Sequence, residues 1–126
     1  MRIETAEHSP RPGAGTVSLW AGVLAGPLLL LAQQIGMYAL VEDACARDSR
    51  MFVHLGHATA LLLIGGGFML CLRAWRRVGR GIPDEGPGPE HRARFMAVGG
   101  MVANVFFALI VCAQWLATAI FNPCSA

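Results

Sequence analysis

Residues 51–75, MFVHLGHATALLLIGGGFMLCLRAW, decide the fold class of this chain. The only charged residue in this segment is Arg73, close to its end. About 20 mostly apolar residues are enough to cross a bilayer, because an α-helix rises about 1.5 Å per residue. We therefore predict a transmembrane helix here, with two histidines near its first end and a cluster of arginines after its last.

The rest of the 126-residue chain follows the same pattern. The sequence is 55% apolar and 14% charged, and its charged residues avoid two further long runs, 17–41 and 95–121. Three uncharged runs of bilayer length predict an all-α integral membrane protein with three transmembrane helices. We place the spans at 17–41, 52–74 and 95–121. Residues 1–16 are expected to form a flexible cytoplasmic tail, and residues 17–126 the membrane domain.

The distribution of arginines predicts the orientation in the membrane. The two loops between the spans differ in charge. Six arginines flank the second loop, whereas the first loop has two arginines beside three acidic residues. By the positive-inside rule the N-terminus and the second loop are cytoplasmic, and the first loop and the C-terminus are external. Because the arginines lie at membrane edges, the small positive net charge does not indicate a nucleic-acid partner. The expected location is the bacterial inner membrane.

Two of the four cysteines are predicted to lie on the external side. Cys45 follows the first span and Cys124 follows the third. Both are in an oxidising compartment and on short segments, so we predict a disulfide between them; the alternative is two free thiols. Cys71 and Cys112 lie within spans and are expected to be small packing residues.

Three polar side chains are predicted to meet in the external half of the bundle. Gln34, His57 and Gln114 fall about 8–12 Å below the external helix ends, one on each helix. Polar groups at this depth avoid lipid, so we expect them to face one another. With His54 they form either a structural hydrogen-bond cluster or a ligand-binding site.

Three kinds of ligand are alternatives for this cluster: a haem, a quinone and a copper ion. A haem between two histidines needs them on opposing helices, but His54 and His57 lie on one helical face. A quinone head group needs only hydrogen-bonding partners, which His57 and the glutamines supply. A copper site could use Met51 and His54, because thioethers and imidazoles bind Cu(I). We expect no cofactor in the isolated chain.

Motifs that indicate catalysis are absent from the sequence. It has no nucleophile elbow and no phosphate-binding loop, and its predicted spans have no carboxylates. A proton-coupled transporter would need such carboxylates. We therefore expect that the chain is not an enzyme by itself, although it could be part of an oxidoreductase complex.

Several phrases together carry a family resemblance: LWAGVLAGPLLLL and YALVEDACA, VHLGHATALLLIGGG, and RARFMAVGGMVANVFFALIVCAQWLA with FNPC. The chain resembles small multi-pass membrane proteins that accompany bacterial haem-copper (cytochrome c) oxidases. The resemblance implies a non-catalytic accessory subunit or assembly partner of a respiratory complex, with other membrane-protein subunits as its partners. The alternatives are a quinone- or haem-associated anchor subunit of the succinate dehydrogenase type and a copper-handling assembly factor.

Overall fold

The computed structural model describes residues 12–78 and 89–124; side chains are described for 17–78 and 90–124. The described residues form three helices, α1 (Pro12–Ala46), α2 (Met51–Arg77) and α3 (Pro89–Ile120). Each helix contacts both others. Contacts between residues early in α1 and late in α2, and between residues early in α2 and late in α3, show that consecutive helices are antiparallel.

All three helices are long and apolar enough to cross a membrane, over Val17–Ala46, Met51–Arg77 and Glu90–Ile120. Their outer surfaces carry large apolar side chains that the bundle leaves uncovered, such as Leu28, Leu62 and Leu109. Lipid tails can cover such a surface without cost, whereas water cannot. The prediction of an all-α bundle with three membrane-spanning helices is confirmed.

The helices extend beyond the predicted spans. α1 begins at Pro12, inside the segment 1–16 that we expected to be a flexible tail, and it continues past residue 41 to Ala46. A proline is favoured at the first position of a helix, because that position needs no amide donor. The apolar run measures only the part of a helix that meets lipid, so polar turns at either end go unpredicted. Residues 1–11 lie outside the described residues.

A tight turn joins α1 to α2 at residues 47–50. Asp48 has a φ of 50°, in the left-handed region. The Ser49 amide donates to the Ala44 carbonyl at 3.0 Å, and the Asp48 amide donates to the Cys45 carbonyl at 3.2 Å. This pair of bonds is a Schellman motif, which ends a helix and satisfies its last carbonyls. The motif holds Cys45 in the last turn of α1.

Close packing of small residues joins the helices at the end opposite this turn. A Cβ atom added to Gly22 would lie 2.8 Å from Cys71 Sγ, and one added to Gly67 would lie 2.5 Å from Ala25 Cβ. Asn104 of α3 is 1% exposed, and its Nδ2 donates to the Gly22 carbonyl of α1 at 2.8 Å. The absence of side chains at the glycines therefore lets the helices approach closely.

An apolar layer lies between this contact and the turn. Its buried residues are Ala60, Ile64 and Val111, and Leu30 and Phe107 are among the residues packed against it. Cys71, on the same side of α2, is fully buried, but Cys112 is exposed. Both were expected to be small packing residues; Cys71 packs within the bundle, whereas Cys112 lies on its outer surface. Val111 takes the inward position in that turn of α3, so the next residue is rotated outward by about 100°.

Candidate functional site

A disulfide closes the end of the bundle where α1 ends. Cys45 and Cys124 are bonded, with their Cα atoms 5.4 Å apart. The Cys124 amide donates to Asn122 Oδ1 at 3.1 Å, which shapes the turn that brings the chain back after α3. The predicted pairing is present in the structure, and the alternative of two free thiols at this end is not.

Below the disulfide, a glutamine pair links α1 to α3. Gln33 Nε2 donates to Gln114 Oε1 at 3.1 Å, and Gln33 is 8% exposed. The Gln114 backbone carbonyl accepts a hydrogen bond from Thr118 Oγ1 within α3 at 2.8 Å. The bond between Gln33 and Gln114 gives each amide one partner on the other helix.

Gln33 therefore takes the place that we predicted for Gln34. Gln34 is exposed, and it does not bond to Gln114 or His57. The two glutamines have almost the same depth, but consecutive residues of a helix point about 100° apart. We predicted that Gln34 meets Gln114 and His57, but Gln33 is the glutamine bonded to Gln114, so the choice of Gln34 is wrong.

His57 lies on the inward face of α2 and is 3% exposed. Its Nδ1 is 2.9 Å from the Val53 carbonyl, one helical turn earlier. Because a carbonyl only accepts, this nitrogen carries the proton, and Nε2 of the neutral ring is an acceptor. The imidazole stacks on the Trp115 indole with centroids 6.1 Å apart and an interplanar angle of 17°. The stack joins α2 to α3 without using Nε2.

His54 is half-buried and contacts the same tryptophan. Trp115 Nε1 donates to His54 Nδ1 at 2.7 Å. An indole nitrogen can only donate, so Nδ1 of His54 is unprotonated, and the proton of the neutral ring is on Nε2. The two histidines thus have opposite tautomers. Trp115 bridges them, and the structure brings His54, His57 and Gln114 into one polar layer.

An open cleft of about 430 Å³ runs along this layer towards the disulfide. Its polar lining comes from all three helices: Gln33, Gln34, Tyr38, His57, Gln114 and Thr118. A cleft of this size can bury a small aromatic head group. Met37, Val41 and Val53 supply apolar wall. The layer is therefore a possible ligand site as well as a contact between helices.

The predicted metal ligands are less favourably placed. The sulfurs of Cys45 and Cys124 are bonded to each other, and His54 Nδ1 accepts from Trp115. Met51 is 68% exposed. Among the described residues, no three His, Cys, Asp or Glu side chains are grouped so that they could hold a metal ion.

Three important residues were not predicted to form contacts: Gln33, Trp115 and Asn104. Asn104 bonds to both Gly22 and Gly100 carbonyls, each at 2.8 Å, beside the closest helix contacts. Its position near Gly100, in a span with few polar residues, was the available signal. Trp115 follows Gln114 directly, but nothing in its position indicated that it contacts His54 and His57 on another helix.

No protein-family model, no curated protein and no solved structure matches this chain.

Proposed function

We propose that this chain is a non-catalytic accessory subunit or assembly partner of a membrane respiratory complex, of the haem-copper oxidase type. The proposed location is the bacterial inner membrane, with the N-terminus cytoplasmic and the disulfide external. The resemblance carried by YALVEDACA and FNPC supports this choice of complex. The arginines in the last turns of α2 and the first turns of α3, at the end opposite the disulfide, support the orientation.

The structural observation that supports the accessory role is a set of exposed glycines that do not pack against another helix of the described bundle. Atoms of neighbouring helices occupy the space beside Gly22, Gly67 and Gly100. A Cβ added to Gly65, Gly66 or Gly99 would meet nothing. These three glycines are exposed on α2 and α3. Small residues let transmembrane helices approach closely, so this surface is suited to a helix of another subunit.

The experiment is affinity purification of the tagged chain from its native membrane, with mass spectrometry of the proteins that accompany it. We expect oxidase subunits in the wild-type eluate. The double substitution Gly65→Leu and Gly66→Leu should remove them, because the added side chains block close approach. Thr59→Leu, also exposed on α2, is the matched control and should retain them. An eluate without any respiratory subunit would contradict the proposal.

A second candidate is a quinone-associated anchor subunit, and the cleft is the observation that favours it. His57, Gln33 and Gln114 line this cleft beside the apolar Met37, Val41 and Val53. The haem version has less support, because both histidines of the layer belong to α2 and His54 Nδ1 is already engaged. The copper-handling version has less support too, because the disulfide takes both thiols at the external end and leaves Met51 and His54 as the candidate ligands.

A further inference from the structure

Two acceptor atoms of the cleft residues lack a hydrogen-bond donor, and one of them, Gln33 Oε1, is buried. His57 Nε2 has no hydrogen-bond partner among the described residues, since the bond of this ring to Val53 uses Nδ1. Gln33 Oε1 is buried and also unpartnered, although Gln33 Nε2 donates to Gln114. A buried acceptor without a partner costs free energy, and hydrocarbon supplies no water to satisfy it.

Both atoms accept hydrogen bonds. The proton on Nδ1 makes Nε2 of the neutral ring an acceptor, and the amide orientation of the glutamine pair leaves Gln33 with a free carbonyl oxygen. Both residues line the open cleft. A molecule that enters the cleft can therefore supply a donor to His57 Nε2.

We propose that the cleft binds the head group of a membrane-dissolved hydroquinone, one of whose hydroxyl groups donates to His57 Nε2. Gln33 Oε1 is the second acceptor of the site. A hydroquinone combines the three properties that the cleft requires: aromatic hydroxyl donors, a small flat ring and solubility in the lipid that borders the opening. The volume of about 430 Å³ lies within the range of small-molecule sites.

Selectivity for the reduced form follows from the same atoms. The oxidised quinone carries only carbonyl acceptors, which cannot bond to an unprotonated Nε2 or to a carbonyl oxygen. The reverse amide orientation at Gln33 would present a donor and would favour the oxidised form. The preference between the two redox forms therefore tests the observed geometry directly. No electron transfer is part of this proposal, which rests on the second candidate function and not on the accessory role.

The experiment uses the full chain in phosphatidylcholine nanodiscs, with ¹⁵N-labelled histidine. A short-chain ubiquinol analogue, kept reduced, and its quinone are titrated separately, and the Nε2 resonance of His57 is followed. We expect a saturable shift with the hydroquinone and at least tenfold weaker binding of the quinone. A tenfold ratio corresponds to about 1.4 kcal/mol, which is the size of one hydrogen bond.

His57→Phe tests the assigned acceptor, because it keeps a ring against Trp115 and removes Nε2. Its affinity for the hydroquinone, measured by calorimetry, should fall about tenfold. Thr59→Val removes a polar group from an exposed position of α2 outside the cleft and should leave the affinity unchanged. If His57→Phe does not fold, the wild-type titration alone still decides.

Three results would contradict the proposal, and they have different consequences. Equal or tighter binding of the quinone would leave a quinone-associated role possible and contradict the selectivity for the reduced form. The same conclusion would follow if His57→Phe bound the hydroquinone as tightly as the wild type. No saturable binding of either form would contradict both this proposal and the second candidate function, and would leave the accessory role untouched.

Discussion

At the scale of single residues, Gln33 and Gln34 show how strongly the environment depends on helix rotation. They are adjacent in α1, but Gln33 is 8% exposed and bonded to Gln114, whereas Gln34 is exposed. A buried amide without a partner costs about 1–3 kcal/mol in protein mutational data. The difference between these neighbours is therefore measurable.

We predict that Gln33→Leu destabilises the bundle by about 1 kcal/mol, because it breaks the bond between α1 and α3. Gln34→Leu, the matched control, should change the free energy of unfolding by less than about 0.5 kcal/mol. Both values can be measured by unfolding in mixed micelles with increasing SDS. A larger loss for Gln34→Leu than for Gln33→Leu would contradict the observed rotation of α1.

The sequence predicted a common depth for these polar side chains but not the direction in which each one points from its helix. Counting residues from a helix end gives depth, since the rise per residue is constant. In a soluble helix, polar residues mark the side that points away from the core. In α1 the side towards lipid is as apolar as the side towards the bundle, so this signal is missing. The sequence therefore offered no basis for choosing between the two neighbours, and we predicted Gln34 where Gln33 bonds to Gln114.

At the scale of helices, packing depends on which glycines face a neighbour. A Cβ atom added to Gly67 would lie 3.2 Å from the Gly22 carbonyl oxygen, whereas one added to Gly66 would meet nothing. The sequence indicated that the run of three glycines belongs to a helix contact. It gave no sign that only Gly67 is used within the bundle, because all three glycines are identical.

Alanine substitutions at these two positions should have opposite effects. Gly67→Ala forces α1 and α2 apart and should cost about 1–3 kcal/mol, the usual price of overpacking. Gly66→Ala should be neutral or stabilise the isolated chain by up to about 1 kcal/mol, because alanine is the better helix former. Thermal unfolding in detergent can compare them. A destabilising Gly66→Ala together with a tolerated Gly67→Ala would show that α2 is rotated differently.

At the scale of the whole molecule, the disulfide connects the ends of α1 and α3 across 79 residues of chain. Non-reducing mass spectrometry should find one linked pair, Cys45–Cys124, and two free thiols, Cys71 and Cys112.

A chain-entropy estimate of the stabilisation by a disulfide that closes a loop of this size is about 4 kcal/mol, and confinement of the unfolded helices in a membrane lowers it. The double substitution Cys45→Ala and Cys124→Ala should lower the unfolding temperature, whereas Cys112→Ala should not. An unchanged unfolding temperature in the double variant would contradict a stabilising bridge.

The central claim is that the chain spans the membrane three times with its disulfide end outside. The most direct measurement is labelling of single cysteines by a membrane-impermeant maleimide in intact spheroplasts. In a Cys112→Ala background, Met51→Cys and Arg77→Cys place a thiol at the two ends of α2. We expect Met51→Cys to react in intact spheroplasts and Arg77→Cys to react only after the spheroplasts are lysed. Labelling of Arg77→Cys in intact spheroplasts would contradict the orientation and, with it, the assignment of the disulfide to the external side.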